Sequence, residues 1–211
     1  MLTDLDDCGR SALHLIADQV EYDTKKEQTD VYHKCMRIIL EHLKTVLIPI
    51  EFKEFVSLAD TEDRDTALHI TCGNTSDCLT TLLLKNGANP AAKDENDRTP
   101  LMHASKKEHS INIIKQLVNS NKQILDIGDH DSNTAVHFAA ENGMTDNFEQ
   151  LVWEGAEIMV KNCREETPLH LAAKNGHSET VRKILDFDYR VNLLKCRVLG
   201  KIQCLGQNWS F

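Results

Sequence analysis

Thr167-Pro168-Leu169-His170-Leu171-Ala172-Ala173-Lys174-Asn175-Gly176-His177 is the stretch that decides the fold. It predicts a short helix that begins after Thr167 and ends at Gly176. The Thr167 hydroxyl can accept hydrogen bonds from the free N–H groups of the first turn. Pro168 occupies the first helical position, where a missing N–H costs nothing. Gly176 adopts a positive φ easily and therefore suits a helix end.

Versions of this stretch recur four times upstream. They read Ser11-Ala12-Leu13-His14, Thr66-Ala67-Leu68-His69, Thr99-Pro100-Leu101-Met102-His103-Ala104 and Thr134-Ala135-Val136-His137-Phe138-Ala139-Ala140. The last four cap positions are separated by 33, 35 and 33 residues. Self-similarity at such a period indicates a solenoid in which each repeat packs on its neighbours.

This period and this sequence motif resemble those of the ankyrin repeat. The resemblance implies an all-α solenoid of about five helix-turn-helix units joined by β-hairpin fingers. Units one to five fall near residues 6–58, 61–93, 94–128, 129–161 and 162–188. Residues 189–211 read as an atypical basic C-terminal tail, with four Lys or Arg and no acidic residue. This loss of pattern predicts a fragment or alternative product of a longer array.

Unit one contains an insertion. The caps Ser11 and Thr66 lie 55 residues apart, which exceeds one 33-residue repeat by 22 residues. Apolar residues at helical spacing between positions 36 and 47 predict the second helix of this unit. The extra residues are expected as a polar loop at 18–30 and a second stretch at 47–56. Such insertions usually leave a solenoid as loops, either for binding or merely solvated, and the sequence leaves both open.

The fingertips depart from the family pattern. The glycine that usually lies two residues before the cap is present only as Gly9, and Arg64, Asp97, Ser132 and Glu165 replace it. Asp tolerates a left-handed backbone, whereas Arg and Glu do so poorly. We therefore expect some fingertips to adopt a different turn.

Composition limits the classes of partner and compartment. The formal net charge of −9 argues against a nucleic-acid backbone as the main partner. Seven cysteines without a C-x-x-C pair favour reduced thiols in a cytosolic protein. No apolar run reaches the roughly 18 residues of a membrane-spanning helix. The predicted location is cytoplasmic, or alternatively the cytosolic face of a membrane protein.

The histidines do not predict catalysis. His14, His69, His137 and His170 occupy one repeated slot, so they are spread along the solenoid. The resemblance implies that each bonds to neighbouring backbone and links adjacent units. We find no catalytic, cofactor-binding or metal-ligand pattern and predict a protein that is not an enzyme, with no cofactor. An enzyme would need a domain outside these residues.

The surface remains as the predicted functional site. The resemblance implies a protein partner, of unknown identity, on the concave face formed by the fingers and the exposed side of the first helices. The fingertip candidates are Asp63, Arg64, Asn96, Asp97, Asp131, Ser132, Glu165 and Glu166. The first-helix candidates are Lys106, Lys107, Glu141, Asn142, Lys174 and Asn175. The alternative is that these residues form only the solvated surface of the solenoid.

A finer resemblance gives the alternative function. Stretches 124–140 and 167–177 are similar to repeats in the N-terminal arrays of ankyrin-type transient receptor potential channels. That similarity implies a fragment of the cytosolic regulatory arm of a cation channel. The reactive cysteines of that family have no matching motif in this sequence.

Overall fold

The computed structural model describes residues 4–20 and 26–187, so the predicted tail lies outside the described residues. Within these ranges the chain is helical, which confirms the predicted all-α solenoid. The helices are α1 Ala12–Asp18, α2 Lys26–Val46, α3 Pro49–Val56, α4 Ala67–Gly73, α5 Asp77–Lys85, α6 Pro100–Ser105, α7 Ile111–Ser120, a 3₁₀ helix Lys122–Asp126, α8 Ala135–Glu141, α9 Thr145–Glu154, α10 Pro168–Lys174 and α11 at residues 178–187. The unit boundaries given above remain a proposal.

Two rows of helices form the array. The first helices α1, α4, α6, α8 and α10 contact one another in that order. The second helices α2, α5, α7 and α9 form a parallel row, each contacting the next. Small buried side chains such as Ala67, Ala104 and Ala139 lie in the first row and allow close approach. Phe148 and Leu151 of α9 show how the second row fills the core with larger side chains.

The fingers between units are tight turns. Within the part of the chain that the structure describes, the only strand pairing is an isolated antiparallel bridge between Ala59 and Thr66, so the β-hairpin character of the fingers is not shown. Each finger starts with an Asp or Asn whose Oδ1 accepts two backbone N–H bonds. Asp94 accepts from Asn96 and Arg98, both at 2.8 Å, and Asn162 accepts from Arg164 and Glu166, both at 2.9 Å.

The expectation that the fingertip turn varies with its residue was wrong. Gly9, Arg64, Asp97, Ser132 and Glu165 all have positive φ, between 57° and 71°. The side chain of the Asp or Asn at the start of each finger accepts backbone N–H bonds inside the turn. A backbone hydrogen bond also joins each finger to the neighbouring finger. These contacts hold even Arg and Glu in the left-handed region despite its steric cost.

The expectation of loops in unit one was also wrong where the structure describes it. Helix α2 begins at Lys26, inside the stretch predicted as a loop, and residues 21–25 lie outside the described residues. The second stretch forms α3, with Pro49 in its first turn. Phe52, Phe55 and Val56 are buried, so the inserted helix has its own apolar side. Burial of that side makes helix the favoured state.

Candidate functional site

The fingers are joined edge to edge by backbone hydrogen bonds. The N–H of Thr61 donates to Cys8 O at 3.0 Å, and that of Glu95 donates to Asp63 O at 2.8 Å. The same bond links His130 to Asn96 O at 3.1 Å and Cys163 to Asp131 O at 2.8 Å. One bond per neighbouring pair keeps all five fingers in register. The fingertips therefore form one continuous, preformed edge.

The repeated histidines form a second link between units. In unit two the N–H of Thr66 donates to His69 Nδ1 at 3.1 Å. Since Nδ1 is the acceptor, Nε2 carries the proton and donates to the Arg98 carbonyl of the next unit at 3.0 Å. His14 and His137 make the same bonds to Asp65 O at 3.1 Å and Glu166 O at 3.2 Å. Each of these rings joins its own helix cap to the following finger.

Burial keeps these imidazoles neutral. Desolvation, with the nearby His103 ring acting in the same direction, lowers the pKa of His69 to about 4. Desolvation also lowers the pKa of His14 and His137. A neutral ring is the form that accepts at Nδ1 and donates at Nε2. The predicted structural role of the slot matches this geometry.

Unit three breaks the pattern. Met102 stands in the histidine slot and is fully buried, and the N–H of Thr99 meets its Sδ at 3.4 Å. A thioether is a weak acceptor, and the buried Thr99 hydroxyl has no hydrogen-bond partner in the described part of the chain. His103 occupies the next position, where the other units carry Leu15, Ile70, Phe138 and Leu171.

This displacement places His103 between two fingers. Its Nε2 lies 3.0 Å from Asp94 Oδ2, and its ring packs edge-on against His69 at a centroid distance of 5.2 Å. Asp65, from the finger of unit two, completes the group. The ligand atoms of Asp65, Asp94 and His103 all lie within 4.8 Å of one another.

The two carboxylates differ in their environment. Burial would raise the pKa of Asp94, but the His103 hydrogen bond and the N–H bonds from Arg98 and Asn96 lower it to about 2. Burial raises the pKa of Asp65, an effect that His103 opposes and the Asp94 charge strengthens. Asp65 Oδ1 is shielded from solvent and has no hydrogen-bond partner within residues 4–20 and 26–187. Asp65 is therefore the carboxylate of this pair that has an oxygen without a hydrogen-bond donor among the described residues.

Two cations lie on the aromatic ring beside this group. The Arg98 guanidinium is 5.6 Å and the Lys106 ammonium 5.4 Å from the Phe138 ring centroid. Burial lowers the pKa of Lys106, and the Arg98 charge adds to that shift. Both distances fit cation–π contacts. We call this group the central group; it spans units two to four and combines two carboxylates, an imidazole, two cations and an aromatic ring.

The structure separates the predicted site residues into two groups. The fingertip candidates share the continuous edge described above; most are exposed, and Asp97 and Glu166 are partly buried. Their ion pairs are surface pairs, such as Arg164 with Asp131 at 3.5 Å and Lys174 with Glu166 at 3.6 Å. Surface pairs of this kind contribute little to stability, about 0–1 kcal/mol each. These side chains are therefore available to a partner at small cost.

Several first-helix candidates serve the fold instead. The Asn142 amide donates to Phe138 O at 2.8 Å, and the Asn175 amide donates to Glu141 O at 2.9 Å. Both asparagines cap the ends of first helices, at the end away from the fingers. The Lys107 carbonyl accepts from Asn147 at 2.7 Å, which places it at that same end. Lys106 is the candidate that joins the central group.

Sequence reasoning missed Asp65, Asp94, Arg98, His103 and Phe138. One signal was present: His103 is the only polar residue in a slot that is apolar in the other four units. Nothing in the sequence placed Asp65 beside it, because the two residues lie 38 positions apart on different units. Their contact depends on how the units stack.

Comparison with known proteins gives the same fold assignment. The family model for ankyrin repeats (3 copies) matches residues 38–129 and 136–201. A Caenorhabditis elegans protein, "Transient receptor potential cation channel subfamily A member 1 homolog", is 27% identical over 150 residues, which is 71% of this chain and 12% of that protein. The mouse "B-cell lymphoma 3 protein homolog" is 27% identical over 173 residues, covering 80% of this chain and 33% of that protein.

A plant relative carries an enzyme name. The Arabidopsis thaliana "Putative E3 ubiquitin-protein ligase XBAT31" is 28% identical over 137 residues, covering 59% of this chain and 30% of that protein. This chain therefore spans at most about a third of the length of these three relatives. Their names differ widely, so what they share with this chain is the repeat itself.

Proposed function

The chain belongs to the ankyrin-repeat family, a family of protein-interaction modules, and from this premise we propose that it binds a protein partner on its concave face without catalysing a reaction. The observation that carries the proposal is the row of backbone bonds between fingers, from Thr61–Cys8 to Cys163–Asp131. A preformed edge loses little conformational entropy on binding, which favours affinity.

The charges on the proposed binding surface predict the charge and polarity of the partner. Exposed carboxylates at the fingertips alternate with Arg64 and Arg164, and Lys174 lies on first helix α10, so the partner surface should be polar and of mixed charge. Aromatic and arginine side chains dominate the energy of many interfaces. We therefore place the proposed energetic centre at Arg98 and Lys106, which are partly exposed over the buried Phe138 ring, with the fingertips as the polar rim.

A charge reversal at one fingertip tests this proposal. Asp131→Lys changes an exposed carboxylate on the finger of unit four. Asp146→Lys is the matched control, because Asp146 is also exposed in unit four but lies on second helix α9. Partners captured by the wild-type chain from the source tissue would be identified by mass spectrometry and then purified. Affinity for such a partner should fall about tenfold or more with Asp131→Lys and stay within about twofold with Asp146→Lys.

Two results would contradict the proposal. Equal losses from both variants would place the contact outside the fingers. Crosslinks from the captured partner that map to α7 and α9 rather than to the fingers would show that it binds the row of second helices.

The second candidate function is the cytosolic arm of a transient receptor potential-type cation channel. The match to the Caenorhabditis elegans channel homolog across 71% of this chain favours it. No helix in residues 4–20 and 26–187 is long and apolar enough to cross a membrane. A cytosolic location suits both candidates, and the five cysteines of the described part are free thiols.

Sequencing of transcripts separates the two candidates. Reads through the codons for residues 188–211 should, for a channel arm, continue into further repeats and then apolar segments of about 20 residues. Transcripts that stop after Phe211 would remove the channel candidate and leave the short binding module.

A further inference from the structure

The group formed by Asp65, Asp94 and His103 has the composition of a metal site. Its three ligand atoms lie within 4.8 Å of one another, and they come from the fingers of units two and three and from helix α6. The sequence predicted no metal site, because these residues are separated by 29 and 9 positions and share no ligand motif. Only the stacking of units two and three brings them together.

Asp65 supplies independent evidence for a bound cation. Its Oδ1 is shielded from solvent and accepts no hydrogen bond from any described residue. A shielded carboxylate oxygen without a donor carries an uncompensated desolvation cost. Asp94 lies beside it and is itself 4% exposed, so like-charge repulsion adds to that cost. A proton or a cation between the two carboxylates removes both costs.

We propose that Asp65, Asp94 and His103 bind one divalent transition-metal ion, with Zn²⁺ the best fit. Zinc combines imidazole nitrogen with carboxylate oxygen and is often held by three protein ligands, with water in the fourth position. Tetrahedral coordination at about 2.0–2.2 Å puts ligand atoms roughly 3.3 Å apart. Asp94 Oδ2 and His103 Nε2 are already 3.0 Å apart; the ion would take the place of the hydrogen between them, with the ring proton on Nδ1, and the remaining adjustment would fall mainly on the Asp65 side chain.

A bound metal ion would give the displaced histidine of unit three a role. Placing histidine one position late costs this unit the inter-unit bond that His69 and His137 make. In exchange, the His103 ring reaches the carboxylates of two fingers. A metal ion there would add a second link between units two and three, beside the bond from His69 to Arg98 O, and would leave the missing histidine link between units three and four unreplaced.

Lys106 is the competing cation. Its charge acts on both Asp94 and Asp65, so it partly neutralises the pair. Its ammonium lies against the Phe138 ring rather than in an ion pair with either carboxylate, as far as the described residues show. Metal binding therefore requires no ion pair of Lys106 to break.

Calorimetric titration of the full chain with ZnCl₂, after chelation and dialysis in the presence of a non-thiol reductant, tests the proposal. We expect the wild-type chain to bind one more equivalent of Zn²⁺ than His103→Leu, or to bind it at least tenfold more tightly. Leucine is the residue that units one and five carry in this slot, so this variant suits the fold. Asp65→Asn is the second variant and should show the same loss.

The matched control is His130→Ala. His130 also has an aspartate beside it, with Nδ1 3.8 Å from Asp131 Oδ1, but it is exposed and belongs to no group of three such ligands among the described residues. This variant should bind Zn²⁺ as the wild type does. The proposal is overturned if the wild type binds no Zn²⁺, or if His103→Leu and Asp65→Asn, folded by circular dichroism, bind it with wild-type stoichiometry and affinity. The second result would assign the binding to cysteines or exposed histidines.

Discussion

His137 Nε2 donates a hydrogen bond to the backbone carbonyl of Glu166, 29 residues away in the next unit, at 3.2 Å. The same ring accepts the N–H of Thr134 at its Nδ1 at 3.1 Å. One buried side chain thus satisfies the cap of its own helix and fixes the position of the following finger. This double use explains why histidine recurs in the slot and why the units stack in one register.

His137→Ala should destabilise the array more than His170→Ala does. His170 occupies the same slot and bonds to Thr167 at 3.2 Å, but it is exposed and its Nε2 has no partner in the described part of the chain. Removing His137 leaves the buried Thr134 N–H without its acceptor, which costs about 1–3 kcal/mol, and removes the inter-unit bond to Glu166 O, although that carbonyl still accepts the N–H of Asn162. Urea unfolding followed by circular dichroism measures the difference, and equal losses from the two variants would contradict the inter-unit role.

Met102→His should stabilise unit three. The new ring would replace a weak sulfur acceptor for the Thr99 N–H. Its Nε2 would reach the Asn133 carbonyl, which holds the place that Arg98 O holds for His69. Two hydrogen bonds less the cost of burying an imidazole should yield about 1 kcal/mol. Met102→Leu is the control, with a similar volume and no acceptor. The explanation fails if the leucine variant is as stable as the histidine variant in urea unfolding.

Glu165→Gly should stabilise the fifth fingertip. Glu165 has a φ of 60°, a conformation that costs a residue with a Cβ about 1–2 kcal/mol and glycine almost nothing. Greater freedom of glycine in the unfolded chain offsets part of this, so we expect a gain of about 0.5–1 kcal/mol. Glu165→Ala, which removes the ion pair with Lys161 but keeps the Cβ, should show no gain in thermal unfolding.

Gly9→Ala makes the reverse change, from glycine to a residue with a Cβ, at the position in the first finger that corresponds to Glu165 in the fifth. There φ is +71°, and an added Cβ would lie 2.5 Å from Thr61 Cγ2. Alanine should therefore lower the melting temperature. A neutral result would show that the first finger can move away from the second.

Stability should fall on mild acidification because of His69. Its pKa is about 4 in the folded chain, against about 6.5 when unfolded, so the folded state binds fewer protons between these values. The contribution is complete above about pH 6.5 and is lost as pH falls towards 4. Between pH 6.5 and 4.5 the loss should be about 2 kcal/mol.

His69→Met provides the comparison for this prediction, because methionine fills the same slot in unit three and does not titrate. Free energies of unfolding measured at several pH values should fall more steeply for the wild type than for this variant. The raised pKa of Asp65 has the opposite effect, because it makes the folded state more stable at low pH than at high pH. Asp65 is present in both proteins, so its effect cancels in the comparison. Parallel curves would show that His69 does not control the acid sensitivity.

The sequence by itself determined the repeat. The caps Ser11, Thr66, Thr99, Thr134 and Thr167 and the glycine stops act over three or four residues, so they can be read from neighbours along the chain. The position of the first helices and their small buried faces followed from this local pattern, whereas the histidine links between units were implied by the family resemblance. Lys106 was the one predicted surface residue that proved to belong to the central group.

The tertiary structure decided what depends on stacking. Burial of its apolar side made the inserted stretch around Pro49, for which the sequence predicted no element, into helix α3, and bonds between fingers held Arg64 and Glu165 in a left-handed turn. Asp65, Asp94 and His103 meet because adjacent units place residues about one repeat apart side by side. Local sequence specifies each unit, whereas the central group exists only after the units pack, because its members belong to different units.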